Sequence, residues 1–315
     1  MGKGNTPDKK PVALIAGPTA SGKSDLAVLL ALALEKRGKR GVVINADSAQ
    51  VYADLRILSA RPTEDDMRGV EHRLFGAWDG AHACSAAEWA AAAKVEIAAL
   101  HAEGAIPILC GGTGMYLQVL IDGIAEIPAI DPVIRDQVRK MPTASAYAAL
   151  QFEDPERAAQ LNPADSQRIS RSLEVVRSTG VTIGEWQREK EGGIGEYITL
   201  HPLVLLPDRE WLYERCDRRF EIMLDHGAIE EVELLLARGL SDSLPVMRAI
   251  GVPEIAAMIK DELSRGETIA AGQQATRNYA KRQYTWFRRQ PPENWLQMTS
   301  QEYNIEAIFA SLFQH

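Results

Sequence analysis

Residues 17–24 read Gly-Pro-Thr-Ala-Ser-Gly-Lys-Ser, directly after the apolar run Val12–Ala16 and directly before a helical pattern reaching roughly Glu35. This is G-x-x-x-x-G-K-[ST] in full, in a strand–loop–helix context. Successive backbone N–H groups at such a helix N-terminus form an anion-binding nest. Gly17 and Gly22 let the backbone wrap closely around phosphate, Lys23 adds a positive charge, and the Ser24 hydroxyl is a candidate ligand for Mg2+. The segment specifies a di- or triphosphate with a metal. It does not specify ATP.

The next elements repeat the theme. "GVVINAD" places a β-branched run, Val42–Ala46, before a polar turn. Asp47 then falls at the carboxyl end of a strand, where ligands bind in open α/β sheets. It can hold Mg2+, act as a general base, or serve as an ordinary turn residue. "HRLFGAW" reads as a third strand. "SAAEWAAAAKVEIAAL" predicts a helix that Ser85 caps and Glu88 closes in a capping box. "AIPILCGGTGMYLQVL" runs strand, glycine turn, helix, and puts the Thr113 hydroxyl at the same sheet edge; a tight turn without a ligand is the alternative reading of Gly111–Gly114. From about Pro128 to Glu196 the pattern is helical with no convincing strand. A strand returns at Pro202–Pro207, and long helical patterns continue to about Arg289. Strands alternating with helices imply crossover units and a parallel sheet. The expected fold is α/β: a P-loop NTPase-like parallel sheet core with helices on both faces, residues 11–122 and 200–315, plus an inserted all-helical domain, residues 123–199.

Composition narrows the partners. The 315 residues are 46% hydrophobic and 25% charged, an ordinary globular balance with ample core. A formal net charge of −8 argues against a protein that coats nucleic acid nonspecifically. It leaves room for local basic surfaces, and two segments are candidates. Arg168 and Arg171, three apart on a helix that Asp165 or Ser166 can cap, share one face, which could grip phosphates or be an ordinary solvated helix face. Residues 275–290 carry five basic side chains and no acidic one, with Arg277, Lys281, Tyr284 and Arg288 at helical spacing. That stripe suits RNA, or belongs to an amphipathic helix with Tyr279, Trp286 and Phe287 packed inward. Cys84, Cys110 and Cys216 lie far apart, without zinc spacing, and read as reduced thiols. The N-terminus has no apolar run; Gly2 and Thr6 loosely fit a myristoylation pattern, but a solvated tail is the expectation. With no stretch long enough to span a bilayer, the cytoplasm is the expected location.

Taken in order, "GPTASGKS", "NADSAQVY", "ARPT", "CSAAEWA", "CGGTGMYLQVLIDG", "DSQRISRSLEVVRSTG", "RRFEIMLDHGAIEEVE", "MRAIG" and "AKRQYTWFR" carry a resemblance over nearly the whole chain after Pro11. The sequence resembles the tRNA isopentenyltransferase (tRNA dimethylallyltransferase) family in its bacterial form. The resemblance implies transfer of a dimethylallyl group from dimethylallyl diphosphate to the exocyclic amine of an adenine. That adenine lies immediately 3′ of the anticodon in tRNAs reading codons that begin with U, and diphosphate is released. It implies catalytic roles for Asp47, as base, and for Thr113, which orients the amine. Gly17, Pro18, Thr19, Ala20, Ser21, Gly22, Lys23, Ser24 and Arg219 would hold the diphosphate, with Mg2+ on Ser24. Asp47, Ser48, Ala49, Gln50, Thr113, Arg135, Gln167, Arg168, Ile169, Ser170 and Arg171 match positions that meet tRNA, the inserted domain clasping the anticodon stem-loop. A cytoplasmic monomer is implied. Two places depart from the family pattern: Leu58, Ser59 and Arg61 in "LSARP", and Val252-Pro253 after Gly251.

Three other functions share parts of this pattern. An ATP-dependent small-molecule kinase accounts for the phosphate loop and the sheet, but not for the run Gln167–Arg171. Prenylation of free adenine nucleotides keeps the chemistry and changes the acceptor. A nucleotide-dependent RNA-binding switch needs no base at Asp47.

Overall fold

A computed structural model describes residues 9–300 and 302–314; the Gly2–Thr6 pattern lies outside them. The chain divides into two compact units, Met1–Leu120 with Gly195–His315, and Ile121–Ile194. In chain order the first unit begins β1 (Lys10–Ala16), α1 (Lys23–Glu35), β2 (Gly41–Asn45), α2 (Glu64–Met67), β3 (His72–Arg73), α3 (Ala86–Ala102), β4 (Ile106–Gly111) and all but the last two residues of α4 (Gly114–Asp122). The second unit holds α5 (Pro132–Lys140), α6 (Thr143–Glu153), α7 (Pro155–Gln160), α8 (Ser166–Thr179) and α9 (Ile183–Trp186). The first unit resumes with β5 (Ile198–Leu205), α10 (Arg209–Asp225), α11 (Ala228–Ala237), α12 (Val252–Ile259), α13 (Arg265–Arg289), β6 (Leu296–Met298), α14 (Ile305–Ile308) and α15 (Ala310–Phe313).

The six strands form one sheet in the order β3-β2-β4-β1-β5-β6, and every pairing is parallel. Parallel strands are covered on both faces, so they read as continuous apolar runs; all six residues of β4 are buried, as are the last five of β1. The order puts β2, β4 and β1 side by side. Their three carboxyl-end loops, the phosphate loop, the Asp47 turn and the Thr113 loop, are therefore neighbours. α1 buries Leu26, Ala27, Leu30, Ala31 and Leu34 in the same core as Ile15, Val43 and Ile108. α3 carries the expected capping box: the Glu88 N–H donates to Ser85 Oγ (3.2 Å) and the Ser85 N–H to the Glu88 carboxylate (2.8 Å).

Two sequence expectations change. Of "HRLFGAW" only His72 and Arg73 are strand; Leu74 takes a left-handed φ of 63° and Gly76 one of 60°, which turns the chain out of the ladder. Beyond Arg289, where no further element is expected, β6 completes the sheet edge, and Phe309 and Leu312 seal the core that α1 covers. The three residues of β6 are too few for a period-two signal.

Gly111 ends β4 against the Asp47 turn. A Cβ there would lie 2.1 Å from the backbone carbonyl carbon and oxygen of Ala46. The close approach lets the Ala46 N–H donate to the Cys110 carbonyl (2.8 Å) and the Thr113 N–H to the Ala46 carbonyl (3.1 Å). We expect Gly111→Ala to cost about 3 kcal/mol and lower the melting temperature by about 6 °C, measured calorimetrically. An unchanged melting temperature would show that the turn can yield.

In the helical unit, Val138, Ala146, Leu150, Ala158, Leu161, Ile169 and Leu173 form one core. Asp165 caps α8 by accepting from the Arg168 N–H (3.2 Å). Arg177 and Glu153 pair in a fork, with three N···O distances between 2.6 and 3.1 Å.

Candidate active site

The phosphate loop is shaped by two glycines. Gly17 has φ 157°, and a Cβ on it would meet the Leu205 carbonyl oxygen at 2.7 Å. Gly22, at φ 89°, is the N-cap of α1 and has no side chain to satisfy the helix's first N–H groups. Uncapped N–H groups at a helix start are an anion site. The Ser21 hydroxyl, in the same loop, is buried with no hydrogen-bond partner among the described residues. Lys23 Nζ donates to the Pro18 carbonyl at 3.3 Å. Burial pulls the Lys23 ammonium below its usual value, and the Asp47 carboxylate works against that shift. From α10, Arg219 Nη2 donates to Thr19 Oγ1 at 2.5 Å, and burial likewise draws its guanidinium down while Cys216 and Asp47 support it.

The Asp47 turn is braced by its neighbours. The Asp47 N–H donates to Asn45 Oδ1 (2.9 Å), and Asn45 Nδ2 donates to the Asp47 and Leu74 carbonyls (3.1 Å each). Trp89, fully buried in α3, donates its indole N–H to the Asn45 carbonyl (2.9 Å) and stacks on Tyr116 at 4.6 Å. One Asp47 oxygen accepts from the Ala49 N–H (3.0 Å). Thr113 Oγ1 accepts from the Ser48 N–H (2.9 Å) and lies 3.2 Å from the Ser48 hydroxyl. The Tyr279 phenol from α13 faces the same hydroxyls; burial raises its pKa above the usual tyrosine value.

Two cavities meet here. One, of about 290 Å3, is lined mostly by apolar side chains, among them Tyr52, Leu55, Leu58, Phe220, Met223 and Ile250, with Asp47, Arg248, Tyr279 and Arg282. That volume is near the lower end of small-ligand sites. The other is polar and runs along Thr19–Asp25 to Arg215 and Arg219. Asp47, Thr19, Ser59 and Arg219 line both. Asp47 thus stands on the wall common to the polar cavity and the apolar one. Ser24, Asp25 and Asp47 offer hard oxygen donors in the polar cavity. Among the described residues no three His, Cys, Asp or Glu side chains gather into a metal cage. Such a donor set fits Mg2+ that arrives with phosphate oxygens, the usual mode for that ion.

The departing segment "LSARP" forms cavity wall. Glu231 holds it by accepting from three successive N–H groups, those of Arg56, Ile57 and Leu58, at 2.6–2.9 Å. The Gln50 amide is engaged from the other side, donating to the Ser59 and Ala60 carbonyls (3.0 Å each). Leu58 lies over Gly251, where a Cβ would come 2.6 Å from its Cδ2. The first departure therefore packs on the glycine that directly precedes the second.

The remaining candidates lie in the helical unit. Gln167 and Arg168 are exposed, Ser170 and Arg171 half-buried. Ile169 is fully buried in that unit's core, so its side chain shapes α8 rather than presenting a surface. Glu174, 4% exposed, accepts from Arg139 (3.0 Å) and lies 4.0 Å from both Arg135 and Arg171. Arg139 was not singled out in the sequence; its i+4 spacing from Arg135 was the available signal. The basic stripe of α13 is partly internal. Arg277 grips the Asp217 carboxylate at 2.6 and 2.7 Å, and Tyr284 packs with Leu212, Cys216 and Ala280.

A parallel sheet whose Gly-rich loop shares a wall with an apolar cavity defines an α/β protein of the phosphate-loop class. The family model "IPP transferase" matches residues 50–290. The chain is 64% identical over 316 residues to the tRNA dimethylallyltransferase of Erythrobacter litoralis, covering 99% of this chain and 100% of the relative. It is 63% identical to that of Novosphingobium aromaticivorans, covering 88% and 99%. The full-length tRNA isopentenylpyrophosphate transferase of Bacillus halodurans superposes with a TM-score of 0.68 at 29% identity, over 97% and 95% of the two chains. A eukaryotic dimethylallyltransferase captured acting on tRNA gives 0.72 at 28% identity, over 88% and 69%. The chain belongs to the IPP transferase family. Among the described residues, no helix is long and apolar enough to cross a membrane.

Proposed function

We propose that this protein transfers the dimethylallyl group of dimethylallyl diphosphate to the exocyclic amine of an adenine in tRNA. The base would be the one 3′ of the anticodon in tRNAs reading codons that begin with U. The observation that carries the reading is Asp47 on the wall shared by the polar and apolar cavities. A bond forms between the amine nitrogen and the allylic carbon while that carbon's bond to oxygen breaks. Diphosphate leaves with the electron pair, and the amine proton passes to the Asp47 carboxylate. The loop N–H groups, Lys23 and Arg219 hold the leaving oxygens, whose charge grows in the transition state. Thr113, fixed by Ser48, orients the amine. Mg2+ held by Ser24 with the phosphate oxygens would neutralise further charge. The adenine must leave its stack to reach this site, and the apolar cavity accommodates an unstacked base and the five-carbon group. A monomer working in the cytoplasm accords with this reading.

The decisive experiment supplies Mg2+, labelled dimethylallyl diphosphate and unmodified tRNA, with AMP, and ATP without allyl donor, in parallel. Label in tRNA alone supports the proposal. Label in AMP alone moves the acceptor to free nucleotides; ATP consumption without transfer moves the function to a kinase.

On the same reading Arg135, Arg168 and Arg171 contact tRNA phosphates. Arg168→Ala and Arg171→Ala are each expected to weaken tRNA binding and reduce the slope of log K against log salt by about 1. Binding titrations across salt concentrations would show it; an unchanged slope removes that arginine from the interface.

A further inference from the structure

Gln283 lies on α13, far in sequence from every loop described above, and is 6% exposed. Its Oε1 accepts from the Thr19 N–H of the phosphate loop at 2.7 Å. Its Nε2 donates to the Gly112 carbonyl of the Thr113 loop at 2.8 Å. A primary amide presents an acceptor and a donor side by side at every pH, as these two partners require.

The glycines of the Thr113 loop answer to the same helix. A Cβ on Gly112 would come within 2.3 Å of Gln283 Nε2, and one on Gly114 within 2.4 Å of the Trp286 ring. Gln283 and Trp286 are three apart and Tyr279 is four before Gln283, so one face of α13 seats on both loops. α13 is itself fixed against α10. Gly272 admits the Phe220 ring, which a Cβ there would meet at 2.0 Å, and Arg277 grips Asp217. α10 also carries Arg219, which bonds Thr19.

We propose that Gln283 is a positioning residue that sets the distance between the diphosphate loop and the Thr113–Asp47 side of the site. The inference rests on the proposed transfer reaction. A displacement of about 1 Å between reacting groups can cost roughly a hundredfold in rate, and Gln283 is the side chain bonded to both loops.

The test compares wild type, Gln283→Met and Gln283→Glu in single-turnover transfer from labelled dimethylallyl diphosphate to tRNA. Gln283→Met keeps the length and loses both bonds; its rate is expected to fall about 10–100-fold, with weaker inorganic diphosphate binding and tRNA affinity within about twofold of wild type. Gln283→Glu gives the sharper readout. Ionised, the introduced carboxylate accepts from Thr19 but repels the Gly112 carbonyl. Protonated, it restores both bonds. Burial raises such a carboxyl above the ordinary value of about 4.3. The ratio of variant to wild-type rate is therefore expected to rise as pH falls towards about 5, which dividing by wild type frees from the titration of other groups. A wild-type rate in Gln283→Met, or a pH-independent ratio for Gln283→Glu, overturns the proposal. If wild type itself transfers no label to tRNA, the functional reading fails instead. Calorimetric titration of inorganic diphosphate into wild type and Gln283→Met then decides whether the amide sets the loop, equal affinity overturning it.

Discussion

Asp47→Asn is expected to lower the single-turnover rate about 10²–10⁴-fold, the range for loss of a general base, and to leave tRNA and diphosphate affinity within about threefold. The substitution is chosen for its geometry. An asparagine carbonyl can still accept from the Ala49 N–H that Asp47 Oδ1 now holds at 3.0 Å. The brace from Asn45 to the backbone of residue 47 does not involve the side chain of that residue. The turn therefore survives and only the proton acceptor is lost. An adenine amine is a poor nucleophile because its lone pair is delocalised into the ring, so transfer without a base should be slow. Rapid-quench measurement with saturating tRNA separates the two effects. A rate near wild type would remove Asp47 from proton transfer and leave it a structural turn.

Lys23→Met is expected to reduce kcat/KM for dimethylallyl diphosphate about 10²–10³-fold, the scale for removing a preorganised group from a developing anion. It also carries a signature in pH. Burial holds the Lys23 ammonium below 10.5 in the free protein, with Asp47 opposing. Bound diphosphate adds negative charge beside it and raises the pKa again. Between those two values the free protein has lost the proton and the complex carries it, so binding takes up a proton and affinity falls as pH rises through the lowered value. Folding shows the opposite trend. The unfolded chain binds more protons across the window from the lowered value to about 10.4, so the destabilisation from burying this ammonium is relieved as pH rises there. Calorimetry in two buffers of different ionisation enthalpy measures the uptake directly. It should vanish in Lys23→Met; its persistence would assign the proton to another group.

Much of the site was legible because each piece is local. The phosphate loop needs its glycines, lysine and serine within eight consecutive residues, and Asp47 and Thr113 each follow an apolar strand directly. The Ser85–Glu88 capping box is complete within four residues and forms as read. The glycines of residues 111–114 were ambiguous for the same reason. Their neighbours, Ala46, Gln283 and Trp286, come from distant parts of the chain. The basic stripe of α13 misled in part. Nothing within that helix reveals that Asp217 waits for Arg277, or that Gln283, between two bases and an aromatic, holds two loops. Arg139 escaped because the buried Glu174 that it shares with Arg135 and Arg171 lies 35 residues further on.

The sequence by itself determined the strand–loop–helix around Gly17–Ser24, the alternation that demands a parallel sheet, and the helical stretch between two halves of one core. These follow from periodicity and from backbone conformations that only certain residues adopt, and both are properties of short segments. Only the tertiary structure decided that β4 lies between β2 and β1, which makes the three loops expected at that edge immediate neighbours, and that Gly111 lets the Thr113 loop close on the Asp47 turn. It alone showed one buried amide spanning two of those loops. Such contacts join residues up to 264 positions apart; they are chosen by packing and hydrogen-bond satisfaction across the whole core, which no local pattern encodes.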